Sequence, residues 1–214
     1  MEFAVIPVTP FAQNCTLVWC SQSRDAAVID PGGEPEKILA AAKQRGLNIT
    51  AIWLTHGHLD HVGASGDLKA QLQVPIIGPH QDDHFWLSRL SEQAAMFGFA
   101  PPAPFEPDRY LSDGDSLTLG QQQFSVHHCP GHTPGHVVFF NSQARWAQVG
   151  DVLFKGSIGR TDFPMGNHQQ LLDSITHTLF PLGDDVRFVP GHGPMSTLGD
   201  ERQHNPFVAD RRFG

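Results

Sequence analysis

Seven consecutive residues, Thr55–His61 (THGHLDH), contain three histidines and one aspartate. They directly follow an apolar run typical of a buried strand, and functional groups are often placed where a strand ends. His56 and His58 are two residues apart, so an extended backbone can turn both imidazoles the same way. Asp60 and His61 are adjacent and cannot easily converge on the point that the first pair shares. The spacing therefore suggests two neighbouring metal positions.

Three further candidate ligands follow β-rich runs later in the chain, and each lies beside glycine: His132, Asp151 and His192. Glycine lets backbone segments approach closely. One carboxylate can bridge two metals through its two oxygens, and Asp151 is the candidate for that bridge. Imidazole and carboxylate ligands together suit zinc, iron or manganese. We expect two divalent metal ions, zinc first, with iron or manganese as alternatives.

The remaining histidines have a simpler interpretation as surface or satisfied core residues. They are His80, His84, His127, His128, His168, His177 and His204. His136 stays open between two alternatives, which are orienting a metal ligand and ordinary strand packing.

Charge and cysteine content narrow the classes of function. Lys and Arg number 14 against 22 Asp and Glu, which disfavours a nucleic-acid surface because phosphates are bound mainly by basic side chains. The three cysteines form no CxxC pair, so a reducing compartment is expected. No apolar run approaches the roughly 18 residues of a membrane span, and the first residues lack the basic start of a signal peptide. We expect a cytoplasmic protein with no membrane partner, and the oligomeric state stays unknown.

Helix and strand patterns occur in both halves of the chain. The predicted helices cover Glu34–Arg45, Asp60–Leu72, Gln81–Gly98, His168–Leu179 and a short stretch near Thr197–His204. Together with the strand runs they predict an α+β sandwich, with two sheets face to face and helices outside. We expect one domain over residues 1–214. The aromatic-rich segment 81–98 is either a lid over the site or plain packing, and we favour packing.

Four motifs occur in the order typical of one family: HGHLDH, PGHTPGH, the GD at 150–151 and the PGHG at 190–193. They resemble the metallo-β-lactamase superfamily over most of the chain. The resemblance implies an αββα fold, with two mixed β-sheets flanked by helices and the metals at one edge between the sheets. It also implies the ligands of each metal: His56, His58 and His132 for the first, Asp60, His61 and His192 for the second, and Asp151 bridging.

The choice of branch depends on other residues. The commonest zinc β-lactamases have cysteine at the position matching Asp151, so lactam hydrolysis is disfavoured, and no RNA-binding arm of the nuclease branch is visible. The segments PFAQNC, IDPGG, GSIGRTDFP and ERQHNPF resemble the short bacterial glyoxalase II-like hydrolases. This resemblance implies an enzyme that cleaves small-molecule glutathione thioesters, hydroxyacyl-glutathiones. It would convert S-D-lactoylglutathione to D-lactate and glutathione in methylglyoxal detoxification.

The chain contains no GxSxG motif and no cysteine in a nucleophile motif, so water is the predicted nucleophile. Two metals about 3.5–4 Å apart can share a hydroxide that attacks the thioester carbonyl. Asp60 is the candidate catalytic residue, because it can orient that hydroxide while it binds one metal. A thiolate, whose conjugate acid has a pKa of about 8.5, departs without a strong general acid.

Two features differ from the longer glyoxalase II enzymes. Those enzymes hold glutathione with a C-terminal helical domain, which we do not expect here, and with a Lys and a Tyr where this chain has Arg160–Asp162. Arg160 is the candidate substrate-binding residue, since its guanidinium fits a glutathione carboxylate. The alternative for Arg160 is a salt bridge to Asp162.

The GRTDF segment also resembles the persulfide dioxygenases of the same superfamily. That resemblance implies one iron bound by His56, His132 and Asp151, and oxidation of glutathione persulfide by O2. It is the alternative function. A non-catalytic binding protein is a third class, which the full ligand set disfavours.

Overall fold

The computed structural model describes residues 1–210. A first, five-stranded sheet comes from the N-terminal third. Its strands are β1 (Glu2–Val8), β2 (Gln13–Trp19), β3 (Asp25–Ile29), β4 (Asn48–Trp53) and β5 (Ile76–Ile77). They lie in chain order, with β1, β2 and β3 antiparallel and β3, β4 and β5 parallel, so the sheet is mixed. β1 and β2 form an antiparallel hairpin at the start of this sheet.

The remaining strands lie in the second half of the described chain. They are β6 (Ser116–Leu119), β7 (Gln122–His128), β8 (Val137–Asn141), β9 (Trp146–Gly150), β10 (Leu153–Phe154), β11 (Ser157–Ile158), β12 (Arg187–Pro190) and β13 (Ser196–Thr197). A six-stranded sheet has the order β13-β12-β9-β8-β7-β6, and β10 pairs with β11 separately. Only β9 and β12 are parallel within this six-stranded sheet, which is therefore also mixed.

Helices cover the outer faces. They are α1 (Pro35–Gln44), α2 (Leu59–Val62), α3 (Ser65–Leu72), α4 (His84–Leu87), α5 (Leu90–Phe97), α6 (His168–Asp173) and α7 (Leu198–His204), with 3-10 turns at Gln81–Asp83 and Phe180–Leu182 and a π-helical stretch at Ser174–Leu179. Between residues 1 and 210, no helix has the length and apolar character needed to cross a bilayer.

The core follows the two-residue period of the strands. Trp53 of β4 faces the second sheet, where its ring contacts Phe124 at 5.1 Å and Phe139 at 5.4 Å between centroids. Its neighbour Ile52 faces the other way and is buried in one cluster with Ile38 of α1. Successive side chains of a strand point to opposite faces, so one strand contributes to both layers. The predicted αββα sandwich is confirmed.

Two predicted helices are interrupted in the structure. The predicted helix Asp60–Leu72 is α2 followed by α3, because the backbone N–H of Ala64 donates to the carbonyl of Pro31 at 2.9 Å, outside the helix. The predicted helix Gln81–Gly98 is a 3-10 turn followed by α4 and α5.

Candidate metal centre

The structure gathers all seven predicted ligand residues at one edge of the sandwich. Each follows a strand or lies in the short helix after one: His56, His58, Asp60 and His61 after β4, His132 after β7, Asp151 after β9 and His192 after β12. The parallel neighbours β9 and β12 place Gly150 opposite Pro190. Their carboxyl ends therefore meet at the same edge.

His56, His58 and His132 form a three-histidine cluster. Nε2 of His56 lies 3.1 Å from Nδ1 of His58, and Nε2 of His132 lies 3.0 Å from that same atom. Nitrogens that bind one tetrahedral zinc at about 2.05 Å lie about 3.3 Å apart. Burial lowers the pKa of all three imidazoles. They are therefore neutral and keep a lone pair for a metal.

Asp60, His61 and His192 form a second, mixed cluster. Nε2 of His192 lies 3.1 Å from Oδ2 of Asp60, and Nε2 of His61 lies 3.9 Å from the same oxygen. Burial alone would lower the pKa of His61, but the Asp151 and Asp60 carboxylates raise it well above its ordinary value. Burial would likewise raise the pKa of Asp60, yet His61 and His192 hold it below its usual range.

Asp151 lies between the two clusters. Its Oδ2 is 3.5 Å from Nε2 of His132 and 3.8 Å from Nε2 of His192, and its Oδ1 is 3.3 Å from Nε2 of His61. Burial opposes ionisation, but these three imidazoles keep the pKa of Asp151 far below its ordinary value. Gly191 makes this approach feasible, because a β-carbon there would lie 1.9 Å from Oδ1 of Asp151.

The donor set fits two divalent ions. Within residues 1–210, Nε2 of His61 and Oδ1 of Asp151 are buried without a well-directed hydrogen bond, and such atoms cost free energy unless another partner satisfies them. Imidazole nitrogens and carboxylate oxygens are ligands that suit zinc, iron or manganese. The three-histidine cluster would hold one ion and the mixed cluster the other, with Asp151 next to both.

In two of the candidate ligands, the ring nitrogen that faces away from the clusters also has a partner. Nδ1 of His132 donates to the carbonyl of Arg160 at 2.7 Å, and Nδ1 of His192 lies 3.2 Å from the carbonyl of Phe11. Such partners fix the tautomer and ring orientation of a metal-binding histidine. The arrangement fits a preorganised metal site.

Asp30 is a residue that the sequence analysis missed. Its carboxylate lies 3.0 Å from Nδ1 of His61 and accepts a hydrogen bond from Oγ1 of Thr55 at 2.6 Å. The same hydroxyl is 3.0 Å from Nδ1 of His56. Asp30 thus supports one histidine of each cluster. The signal was present in the IDPGG segment, where a strand ends in aspartate beside Pro and Gly, much as β9 ends before Asp151.

His136 contacts two candidate ligands and so does more than pack against a strand. Its Nε2 accepts the backbone N–H of Asp151 at 3.0 Å, and its ring stacks on His56 at 4.7 Å. His80 and His128 have local partners, as the simpler interpretation predicts. Nδ1 of His80 accepts the N–H of Asp82, and Nε2 of His128 donates to the carbonyl of Pro134.

A cavity of about 550 Å³ opens onto the two clusters. Its wall is largely apolar, formed by Phe11, Phe85, Trp86, Met96, Phe97, Phe154 and Phe163. Trp86 and Phe163 contact the ring of His58 at 4.5 and 5.0 Å between centroids. Arg89, Glu92 and Arg160 supply charge to the lining.

Arg160 pairs with Asp162 in the structure. Its Nε and Nη2 donate to the two carboxylate oxygens at 2.9 and 2.8 Å, and its guanidinium lies 4.5 Å from the ring of Phe163. Both side chains are about two-thirds exposed. The predicted salt bridge is therefore present, and Arg160 also lies on the cavity lining, as a substrate-binding residue must.

The family model described as the metallo-β-lactamase superfamily matches residues 8–192, most of the chain. The chain belongs to the metallo-β-lactamase superfamily of metallo-hydrolases. Hydroxyacylglutathione hydrolase GloC of Haemophilus influenzae is 46% identical over 97% of this chain and 98% of its own length. The predicted family is thereby confirmed.

Two solved structures of similar sequence share the fold. The crystal structure described as BLEG-1 B3 metallo-β-lactamase is 36% identical, with a TM-score of 0.89 and full coverage of both chains. TTHA1623, described in a di-iron-bound form, is 39% identical, with a TM-score of 0.88 over 96% of this chain and all of its own. The second of these similarities is to a protein that holds two metal ions.

Proposed function

We propose that the protein is a hydroxyacyl-glutathione thioester hydrolase that converts S-D-lactoylglutathione to D-lactate and glutathione in methylglyoxal detoxification. The observation that carries the proposal is the position of Asp151, whose carboxylate lies within 4 Å of histidines from both clusters at the floor of the cavity. The similarity to the GloC hydrolase supports the choice of substrate.

The seven ligand residues have distinct roles in this proposal. Together they would hold two divalent ions, and bound ions would supply polarisation of a carbonyl group and a lower pKa of water. Asp60 lines the cavity, and its pKa is low, so its carboxylate can accept a hydrogen bond from water and orient it towards the substrate. The departing thiolate needs no strong general acid. This agrees with the site, because candidate ligands form the floor of the cavity and mainly apolar side chains form its wall.

The cavity suits a glutathione thioester in size and charge. Its volume is within the range of about 300–1,000 Å³ that is usual for small-molecule sites. Glutathione has two carboxylates and one ammonium group, and the lining offers Arg89, Arg160 and Glu92 as partners of opposite charge. Phe163 beside Arg160 can cover the apolar part of the substrate.

One purified sample of known metal content tests the proposal in three assays: hydrolysis of S-D-lactoylglutathione, O2 uptake with glutathione persulfide, and hydrolysis of a β-lactam. We expect thioester turnover with about two metals per chain and no activity in the other two assays. O2 uptake with one iron per chain would replace the proposal with the dioxygenase alternative. Lactam hydrolysis that exceeds thioester hydrolysis would move the protein to the branch of the β-lactamases.

Replacing Arg160 by alanine is expected to raise KM for S-D-lactoylglutathione about three- to tenfold with little change in kcat, because a charged hydrogen bond to the bound substrate is lost. Steady-state kinetics with Asp162→Ala provide the matched control. If Arg160 binds substrate, Asp162→Ala frees the guanidinium and leaves KM equal or lower. If the pair is only a loop salt bridge, the two variants behave alike.

A further inference from the structure

Asp83 is a fully buried carboxylate outside the predicted ligand set. Its Oδ2 accepts hydrogen bonds from the backbone N–H of Gly57 at 2.8 Å and from Oγ1 of Thr133 at 2.9 Å, and its Oδ1 accepts from the N–H of Gly135. Gly57 is the residue between His56 and His58. Thr133 directly follows His132, and Gly135 is three residues after it. One carboxylate therefore binds both loops that form the three-histidine cluster.

The segment that contains Asp83 contacts the first of these loops a second time. Oε1 of Gln93 accepts the N–H of Leu59 at 2.9 Å, and Nε2 of Gln93 donates to the carbonyls of Gly57 at 3.3 Å and Trp86 at 2.9 Å. Gln93 thus holds only the loop of His56 and His58. Asp83 differs from it because its bonds also reach the loop of His132.

The surroundings of Asp83 leave little freedom. A β-carbon on Gly135 would lie 2.4 Å from the backbone nitrogen of Asp83 and 2.8 Å from its carboxylate. Burial raises the pKa of Asp83 to about 7, although its three hydrogen bonds favour the ionised form. A buried carboxylate is costly compared with an apolar side chain. Its three donors would lose their partner if it were replaced, and unsatisfied buried donors are costly too.

We propose that Asp83 is a positioning residue, which holds the loop of His56 and His58 against the loop of His132 at the separation that the proposed metal centre requires. His58 and His132 are 74 residues apart in the chain, yet their nitrogens must lie about 3 Å apart. A misplacement of about 1 Å at a reacting centre can cost about 100-fold in rate. A single group bonded to both loops sets that distance directly.

The same bonds fix the wall of the cavity. Asp83 begins the stretch that carries Phe85, Trp86 and Arg89, all of which line the cavity. Because Asp83 and Gln93 attach both ends of this stretch to the ligand loops, we expect it to be a fixed wall rather than a lid.

The test compares Asp83→Asn with Asp82→Asn, the same substitution at the exposed neighbouring position. Asparagine offers one acceptor oxygen, and its amide would face a donor, so one loop loses its bond. We expect Asp83→Asn to weaken zinc binding by about 10–100-fold, measured by competition with a chelator. We also expect a changed visible spectrum of the Co²⁺-substituted protein, and a lower kcat with KM little altered. Asp82→Asn should match the wild type in each measurement.

Thr133→Val provides a second, milder variant. It removes one donor and leaves the bonds from Gly57 and Gly135 in place, so we expect the same changes at a several-fold level. If Asp83→Asn does not fold, the zinc affinity and Co²⁺ spectrum of Thr133→Val decide whether the proposal holds. Wild-type zinc affinity and Co²⁺ spectrum in a folded Asp83→Asn, or in Thr133→Val, would overturn the proposal, even where the unfolding temperature falls.

The two proposals fail in different ways. A wild type that binds two metals tightly but hydrolyses no thioester contradicts the proposed function alone. Equal metal affinities in the wild type and in Asp83→Asn contradict the role of Asp83 alone. A wild type that binds no metal contradicts both.

Discussion

Replacing Asp151 with alanine is expected to abolish thioester hydrolysis and to lower the metal content of the purified protein. Asp151 lies within 4 Å of His61, His132 and His192, so its loss affects both clusters together. Loss of a group one step removed from a metal typically costs about 10–100-fold in affinity or activity. Loss of a carboxylate in direct contact with both sites should exceed that range, so kcat/KM is expected to fall by more than about 100-fold.

The measurement pairs metal per chain with kcat/KM for S-D-lactoylglutathione. Asp173→Ala, at an exposed aspartate of α6, is the matched control and should retain both. Asp151→Asn separates charge from shape, because the amide fills the same space but cannot supply an ionised oxygen to each cluster. Full metal content together with a full rate in Asp151→Ala would contradict the bridging position.

The clustering of the candidate ligands could be predicted because its signal is local. His56, His58 and Asp60 occur within five residues after an apolar run, and the structure places His132 and His192 beside them, with Asp151 between the two clusters. Residues that directly follow strands are predicted to lie at an edge of their sheet. When two sheets pack face to face, their edges lie close together, so residues from both sheets can meet there. The pattern of strands and helices predicted two sheets face to face with helices outside, and the resemblance to the family implied the αββα order.

The residues that support the ligands were not predictable in this way. Asp83 and Gln93 bind backbone N–H and C=O groups of distant loops. A side chain that binds backbone needs no particular residue type as its partner, so the contact leaves no spacing pattern in the sequence. The break between α2 and α3 has the same origin, since it depends on a bond from Ala64 to the carbonyl of Pro31.

Apart from segment 81–98, which the sequence analysis raised as a possible cover of the site, the cavity wall was missed for a related reason. Phe11, Trp86 and Phe163 come from three separate segments and meet only in the folded chain. Apolar aromatic residues are typical of any core, so the sequence around each of them does not distinguish a cavity wall from ordinary core packing.

Removing bound metal with a chelator is expected to stop hydrolysis and to lower the unfolding temperature. Without metal, the ionised, half-buried Asp60 and the ionised Asp151 remain beside the neutral, buried His56, His58 and His132. A ligand at 100 times its Kd stabilises the folded state by about 2.7 kcal/mol. At about 2–4 °C per kcal/mol for a chain of this size, the unfolding temperature should rise by about 5–11 °C when zinc is restored.

The size of this rise should depend on pH. The carboxylates of Asp151 and Asp60 raise the pKa of His61 in the folded, metal-free protein. The resulting ion pair stabilises that protein fully below about pH 6.5, the ordinary histidine pKa. This stabilisation is lost as the pH rises through the folded pKa of His61. Metal binding must release that proton from His61. We therefore expect zinc to raise the unfolding temperature more at pH 8 than at pH 6, measured by calorimetry with and without metal. As a control, Asp82→Asn should show the same pH dependence of the zinc effect as the wild type. An equal rise in unfolding temperature at both pH values would show that His61 gives up no proton when zinc binds, which would remove His61 from the ligand set.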